Sequence, residues 1–174
     1  TALAQNKEPL LLIHGYPTAS FDWHPLWDGL ARRYSLYALD MPGFGLSDKP
    51  LDFDYPIAAQ ADVCEALLAL HGVTRPHVLA HDYGVTVAQE LLAREREGRR
   101  PLASVCFLNG GLFPETHRAR PVQKLLAHPW AGPLLARAIS YRGFARTMQR
   151  IGGRRPPSEQ DLRDLWWLMR QHDG

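Results

Sequence analysis

Residues 77–84 read His-Val-Leu-Ala-His-Asp-Tyr-Gly. The run His77 to Ala80 is short and mostly apolar, and an amphipathic helical pattern begins at Val85. The stretch therefore predicts a strand, a sharp turn and a helix, with Asp82 at the apex. Ala80 and Gly84 stand two residues before and two after it. Small flanks suit a turn whose backbone is crowded and whose middle side chain is left exposed above a sheet. Asp82 has two possible tasks there. It can cap the helix that begins near Tyr83, an ordinary role for Asp. It can also act as a nucleophile, and a carboxylate attacking a carbon electrophile forms an alkyl ester.

A second motif bears on that choice. Leu10-Leu11-Leu12-Ile13 is a buried-strand run, and His14-Gly15-Tyr16-Pro17 follows it. In enzymes built on a strand–elbow–helix, the backbone N–H after the nucleophile and one from the loop after an earlier strand bind the developing oxyanion. Tyr16 and Tyr83 are the residues that would contribute those amides, whatever their rings do.

These two motifs, with Asp40-Met41-Pro42-Gly43-Phe44-Gly45-Leu46-Ser47-Asp48-Lys49-Pro50 between them, resemble the epoxide hydrolase and haloalkane dehalogenase branch of the α/β-hydrolase superfamily. Ala80-His81-Asp82-Tyr83-Gly84, Val87-Ala88-Gln89-Glu90-Leu91-Leu92, Asn109-Gly110-Gly111-Leu112-Phe113-Pro114-Glu115-Thr116-His117-Arg118 and Gln123-Lys124-Leu125-Leu126 are similar to the mesoderm-specific transcript family. The resemblance runs from about Leu10 to the chain's last residues. It implies an α/β fold: a mostly parallel sheet flanked by helices, residues 1–112 forming the N-terminal part of this core, and residues 113–174 forming part of a helical lid. It also implies Asp82 as nucleophile, Tyr16 and Tyr83 as backbone oxyanion donors, and a pocket drawing on His14, Asn109, Phe113, Tyr141 and Trp166. In the resembling enzymes a lid tyrosine assists epoxide opening, and Tyr141 is the only tyrosine in the lid region.

The two branches of that resemblance differ at readable positions. Dehalogenases of this kind tend to carry Asn or Trp after the His-Gly and Trp after the nucleophile, because an indole N–H can hold a leaving halide. Both positions here are tyrosine: an aromatic residue after His-Gly, Tyr16, is the epoxide hydrolase habit and favours an epoxide over a haloalkane, whereas Tyr83 in place of Trp departs from both groups. Asn109 stands where some dehalogenases keep a catalytic acid, and an amide cannot serve as one. A non-catalytic binding protein on the same fold is the alternative from a different class. A serine esterase is excluded by the absence of Ser from the elbow; Ser47 and Ser104 sit in a loop and a strand pattern.

Composition fits this class. The chain has 174 residues, 45% of them hydrophobic, and a formal net charge of +2, which suits one globular domain. The cluster Arg94-Glu95-Arg96-Glu97-Gly98-Arg99-Arg100 is interrupted by glutamates and falls at a predicted helix end. Cations there complement the helix dipole, so the cluster reads as a solvated helix terminus rather than a nucleic-acid patch. Cys64 and Cys106 read as small core residues, with no disulfide and no metal site. No apolar run is long enough for a membrane span. The expected setting is cytoplasmic, with a small apolar substrate (an epoxide or haloalkane) and water as partners, no nucleic acid, no membrane and no cofactor.

Along the chain, strands are predicted at Leu10–Ile13, Leu36–Leu39, His77–Ala80 and Ala103–Leu108. Helices are predicted at about Trp27–Arg33, Ile57–Leu70 and Val85–Glu97. Pro56 stands at a plausible first helical position. Such alternation implies a parallel sheet with helices on both faces. Gly43-Phe44-Gly45 lacks a third glycine and a following helix, and is a loop rather than a dinucleotide site. After Phe113 the predicted elements are helical, chiefly Leu125–Ile139 and Glu159–Met169. Phe144, Trp166, Trp167 and Met169 are candidates for the underside of the lid.

The resemblance also implies a His base after the last strand, oriented by an acid. His14 belongs to the oxyanion motif, His77 begins a strand, and His81 lies on the wrong side of the elbow. His24, His71, His117, His128 and His172 have helix, loop or lid contexts and read as surface or capping residues. The chain therefore reads as part of a longer hydrolase, truncated before the last strands.

Overall fold

The computed structural model describes residues 7–113, 125, 126, 128, 130–154 and 156–173. Residues 1–112 and 168–174 form one compact unit, and residues 113–167 form a second.

The first unit is built on four parallel strands, β1 (Glu8–Ile13), β2 (Tyr34–Ala38), β3 (His77–His81) and β4 (Ser104–Leu108), in the order β2-β1-β3-β4. β1 lies centrally, with Leu11 opposite Tyr37 on one side and Val78 on the other. A strand paired on both edges and covered on both faces needs apolar residues at every position. Leu10, Leu11, Leu12 and Ile13 are all buried. Their side chains alternate between two cores. Leu11 and Ile13 join Met41, Ala61, Cys64, Leu68, Val78, Ala80, Val85, Val87 and Leu91 on the face covered by α2 (Ile57–Leu70) and α3 (Tyr83–Arg96). Leu10 and Leu12 join Trp23 on the other face, near α1 (His24–Ala31) and the 3-10 turn Ser20–Trp23.

Four expectations shift. The helix expected at about Trp27–Arg33 starts earlier, at His24, because Pro25 fits its first turn. Pro56 is the N-cap of α2 rather than its first helical residue, with extended backbone at φ −65° and ψ 146°. Cys106 is exposed rather than buried: β4 is an edge strand here, and only its alternate residues Val105 and Phe107 pack on the α2–α3 core. Arg94 is not part of a solvated terminus. It is 4% exposed, because positions 87, 91 and 94 share the face of α3 turned to α2. Its guanidinium bonds Glu90 at 2.8 Å, Asp62 at 2.7 Å and Glu65 at 2.6 Å, and donates to the Ala58 carbonyl at 3.0 Å.

The second unit contains α4 (Ala131–Ala138) and α5 (Tyr141–Ile151), and α6 (Glu159–Met169) begins in it. The helix predicted over Leu125–Ile139 does not run through: His128 precedes Pro129, and the residue before proline avoids helical backbone. Instead His128 Nδ1 accepts from the amides of Trp130 and Ala131, both at 3.3 Å, at the start of α4. α5 is an element the sequence reading missed. Ser140 caps it by accepting from the Gly143 amide, and Phe144, Ala145 and Met148 are its buried stripe. No described helix is long and apolar enough to cross a membrane.

Candidate active site

Asp82 sits between β3 and α3 with φ 50° and ψ −120°. A non-glycine residue in that region carries about 1–3 kcal/mol of backbone strain and persists only where its surroundings fix it. Three hydrogen bonds do so. The Asp82 amide donates to the Leu108 carbonyl at the end of β4 (3.2 Å), the Val85 amide donates to the Asp82 carbonyl (3.1 Å), and the Tyr83 amide donates to Asp82 Oδ1 (2.7 Å). The small residue at position 84 is required by packing: a Cβ there would stand 2.5 Å from the His14 carbonyl and 2.6 Å from that of Ile13. Asp82 itself is exposed. It both caps α3 and stands at the apex of the elbow.

Parallel pairing of β1 with β3 places the loop after β1 beside this apex. The Tyr16 amide donates to Asp82 Oδ1 at 2.9 Å, so two backbone N–H groups from separate loops converge on one carboxylate oxygen. Oδ2 accepts no hydrogen bond from the described residues. The α3 N-terminus adds a favourable field for the ionised carboxylate, worth about 0.3–1 kcal/mol at such sites.

His14 fixes the loop from below. It is fully buried, with Nδ1 2.9 Å from the Gly15 carbonyl and Nε2 accepting from the Met41 amide at 3.0 Å. These partners require the neutral tautomer with its proton on Nδ1, and burial accordingly pushes the His14 pKa below its ordinary value. Asp40 ties the 40–50 loop to the same region. Its carboxylate accepts from the Ser20 amide (2.8 Å), the Ser20 hydroxyl (2.6 Å) and the Leu46 amide (2.9 Å). Burial alone would raise its pKa, but these donors outweigh it and the net shift is downward.

The rings of Tyr16 and Tyr83 turn toward Phe44, at centroid distances of 6.2 Å and 5.6 Å. Burial raises the Tyr83 phenol, and the Gln60 side chain beside it pulls in the opposite direction. With Gly43, Lys49, Pro50, Leu51 and Tyr55, the three rings line a cleft of about 440 Å³. Lys49 Nζ donates to the Gly45 carbonyl at 2.7 Å.

His14, Tyr16, Asp82, Tyr83 and Asn109 all lie in the first unit. Asn109 follows β4 with φ 50°, next to the Leu108 carbonyl that receives the Asp82 amide. Phe113, Tyr141 and Trp166 lie in the second unit. There the Tyr141 hydroxyl donates to Glu159 at 2.9 Å, and Trp166 packs against Tyr141 and Phe144 at 6.0 Å and 5.4 Å. Phe144, a candidate for the lid's underside, is buried in α5. The motif residues 114–118, 123 and 124, His117 among them, lie outside the described residues. No cluster of His, Cys, Asp and Glu suited to a metal ion occurs among the described residues.

Sequence reasoning missed the polar neighbour of His81. Its Nε2 stands 3.0 Å from Asp22 Oδ2, and its ring meets Trp23 edge-on at 5.1 Å. Strand alternation signals that His81 leaves the sheet on the Trp23 side. Nothing local connects it to Asp22, 59 positions away.

Residues 8–151 match the family model described as alpha/beta hydrolase fold. The chain is 45% identical over 177 residues to the mesoderm-specific transcript homolog protein of Homo sapiens, covering 97% of this chain and 53% of that protein. It is 29% identical to the cis-3-alkyl-4-alkyloxetan-2-one decarboxylase of Shewanella oneidensis, over 91% of this chain and 50% of that one. The solved structure of the epoxide hydrolase CorEH superposes on it with a TM-score of 0.79 at 20% identity, over 97% of this chain and 62% of that one, a likeness of fold. The chain thus spans about half the length of the curated relatives it matches.

Proposed function

This chain belongs to the α/β-hydrolase fold family, and from that membership we propose that Asp82 is the nucleophile of an epoxide hydrolase-like reaction passing through an alkyl-enzyme ester. The observation that carries the reading is the convergence of the Tyr16 and Tyr83 amides on Asp82 Oδ1, at 2.9 Å and 2.7 Å. A capping Asp needs only the second of these. The first, delivered from the loop after β1, makes an oxyanion hole around the carboxylate.

The two oxygens then have separate tasks. Oδ2 attacks a ring carbon of the epoxide, the C–O bond breaks, and its electron pair stays on the departing oxygen, which takes up a proton from an acid. Oδ1 becomes the ester carbonyl. Water, losing a proton to a base, next adds to Cγ of Asp82, negative charge develops on Oδ1 between the two amides, and the Cγ–Oδ2 bond breaks as Oδ2 takes up that proton and leaves in the diol. His14 is committed to Gly15 and Met41, and His81 faces Asp22. The base that activates this water is, on this reading, a group other than these two, and residues 113–174 supply part of a lid.

An epoxide is favoured over a haloalkane because neither aromatic residue at the oxyanion positions has a side-chain N–H to hold a halide. A small strained ring is also the type of electrophile named for the Shewanella relative, an oxetan-2-one. The test is an intact-protein mass spectrum before and after exposure to terminal epoxides and 1-haloalkanes, with peptide mapping of any adduct. One equivalent on Asp82 from an epoxide is the expected result, and Asp82→Asn should abolish it. Asn tolerates positive φ, so this variant should keep its fold. Labelling that persists in the variant would remove Asp82 as nucleophile. Labelling by haloalkanes alone would shift the substrate class.

A further inference from the structure

On the reading of Asp82 as nucleophile, we propose that Asp22 and His81 form a positioning pair that holds the Tyr16 amide against Asp82. Neither residue reaches the reacting atoms. Their effect passes through the short loop Gly15–Thr18, and the contacts form a closed circuit. His81 Nε2 faces Asp22 Oδ2 at 3.0 Å. The Thr18 hydroxyl donates to the same Asp22 oxygen and lies 3.4 Å from the Gly15 carbonyl. Tyr16, next in the chain, donates to Asp82 Oδ1, and Asp82 is the covalent neighbour of His81.

Gly15 is where this circuit acts. A Cβ on Gly15 would stand 2.6 Å from Asp82 Cβ and 2.9 Å and 3.0 Å from His81 Cε1 and Nδ1. The glycine is therefore gripped between the nucleophile and the imidazole. Where the imidazole sits sets how closely the loop can approach the elbow. On its far side the imidazole abuts Asp22, with Nε2 making no hydrogen bond, and its ring meets the buried Trp23 edge-on. The Asp22 side chain is only 13% exposed, and a polar group so enclosed is costly without a partner. The Thr18 hydroxyl donates to it, and the His81 ring stands beside it. The Tyr83 amide needs no such device, since it belongs to the residue following Asp82.

The pair should thus govern one half of the oxyanion hole and leave the other alone, which a general packing role would not do. The experiment measures, on this chain, hydrogen exchange of the Tyr16 and Tyr83 amides by NMR and the rate of epoxide labelling at Asp82. It compares the wild type with Asp22→Ala, His81→Ala, the double variant and Asp22→Asn. Each alanine variant should speed Tyr16 exchange and slow labelling by about tenfold, as expected for loss of one polar contact. Tyr83 exchange should stay at the wild-type rate. The double variant should be no worse than either single one. Asp22→Asn keeps the shape and an oxygen facing Nε2, and should restore Tyr16 exchange to within about threefold of wild type. If His81→Ala does not fold, His81→Gln, which keeps the bulk, is read in its place. Unchanged Tyr16 exchange in both single variants, a parallel rise at Tyr83, or additive effects in the double variant would each overturn the pair. A wild type that takes no label removes the nucleophile reading, and the exchange pattern then decides the pair by itself.

Discussion

A single methyl group added at Gly15 has nowhere to go. Its nearest neighbours would be Asp82 Cβ at 2.6 Å and the His81 ring at 2.9 Å, and neither is the free end of a flexible side chain. Overpacking at such a site costs about 1–3 kcal/mol. Here the displaced atom belongs to the carboxylate that Tyr16 holds. Gly15→Ala should therefore lower the urea midpoint modestly and slow epoxide labelling of Asp82 by far more than that loss suggests. A labelling rate that follows stability alone would show that the grip on Gly15 does not place Asp82. Much at this scale was legible in the sequence. The small residues around Asp82 signalled a crowded elbow, and the two motifs named Tyr16 and Tyr83 as amide donors. What crowds Gly15 was not legible, because His81 and Asp22 meet only after β1, β3 and the Ser20–Trp23 turn have assembled.

At the scale of elements, the strands were read well because β1 and β3 are short apolar runs bounded by turn residues. α5 was missed although Phe144, Ala145, Met148 and Ile151 have helical spacing, since Gly143 and the arginines at 142, 146 and 150 dilute the signal. The basic cluster ending α3 was misread for a different reason. Charge pattern cannot say which arginine lies on the face turned to α2, and Arg94 does. Its guanidinium joins α3 to α2 through Asp62, Glu65 and the Ala58 carbonyl. Arg94→Ala leaves Glu65 and Glu90 facing each other's charge without a cation. Breaking a fully buried pair costs about 3–5 kcal/mol. Asp62 is largely exposed, so the expected loss is about 2–3 kcal/mol, read as a lower urea midpoint at constant m-value. Adding Glu65→Gln should recover part of it. A loss under about 0.5 kcal/mol, the range of an exposed pair, would mean that water replaces the guanidinium and that apolar packing alone joins the two helices.

For the whole molecule, the loop that carries the Tyr16 amide is coupled to global stability through His14. Parallel pairing of β1 with β3 made the site legible from two local motifs. Phe113, Tyr141 and Trp166 had no comparable local geometry to fix their place. The tautomer of His14 was not legible either, because it depends on Met41, which arrives from the loop after β2. Burial makes the charged imidazole costly, so the folded pKa lies below the ordinary value of 6.5. Between those two values the unfolded chain takes up a proton that the folded chain refuses. The contribution of His14 is thus fully present above pH 6.5 and is lost progressively as pH falls toward the folded pKa, by at most about 1.4 kcal/mol per pH unit. His14→Gln retains an acceptor for the Met41 amide but has no proton to gain. The difference in urea midpoint between wild type and His14→Gln should be constant from pH 8 to about 7 and should move against the wild type below about 6.5. A constant difference down to pH 5 would mean that the folded protein accommodates a charged His14, and the neutral imidazole would then no longer account for how the loop after β1 is held.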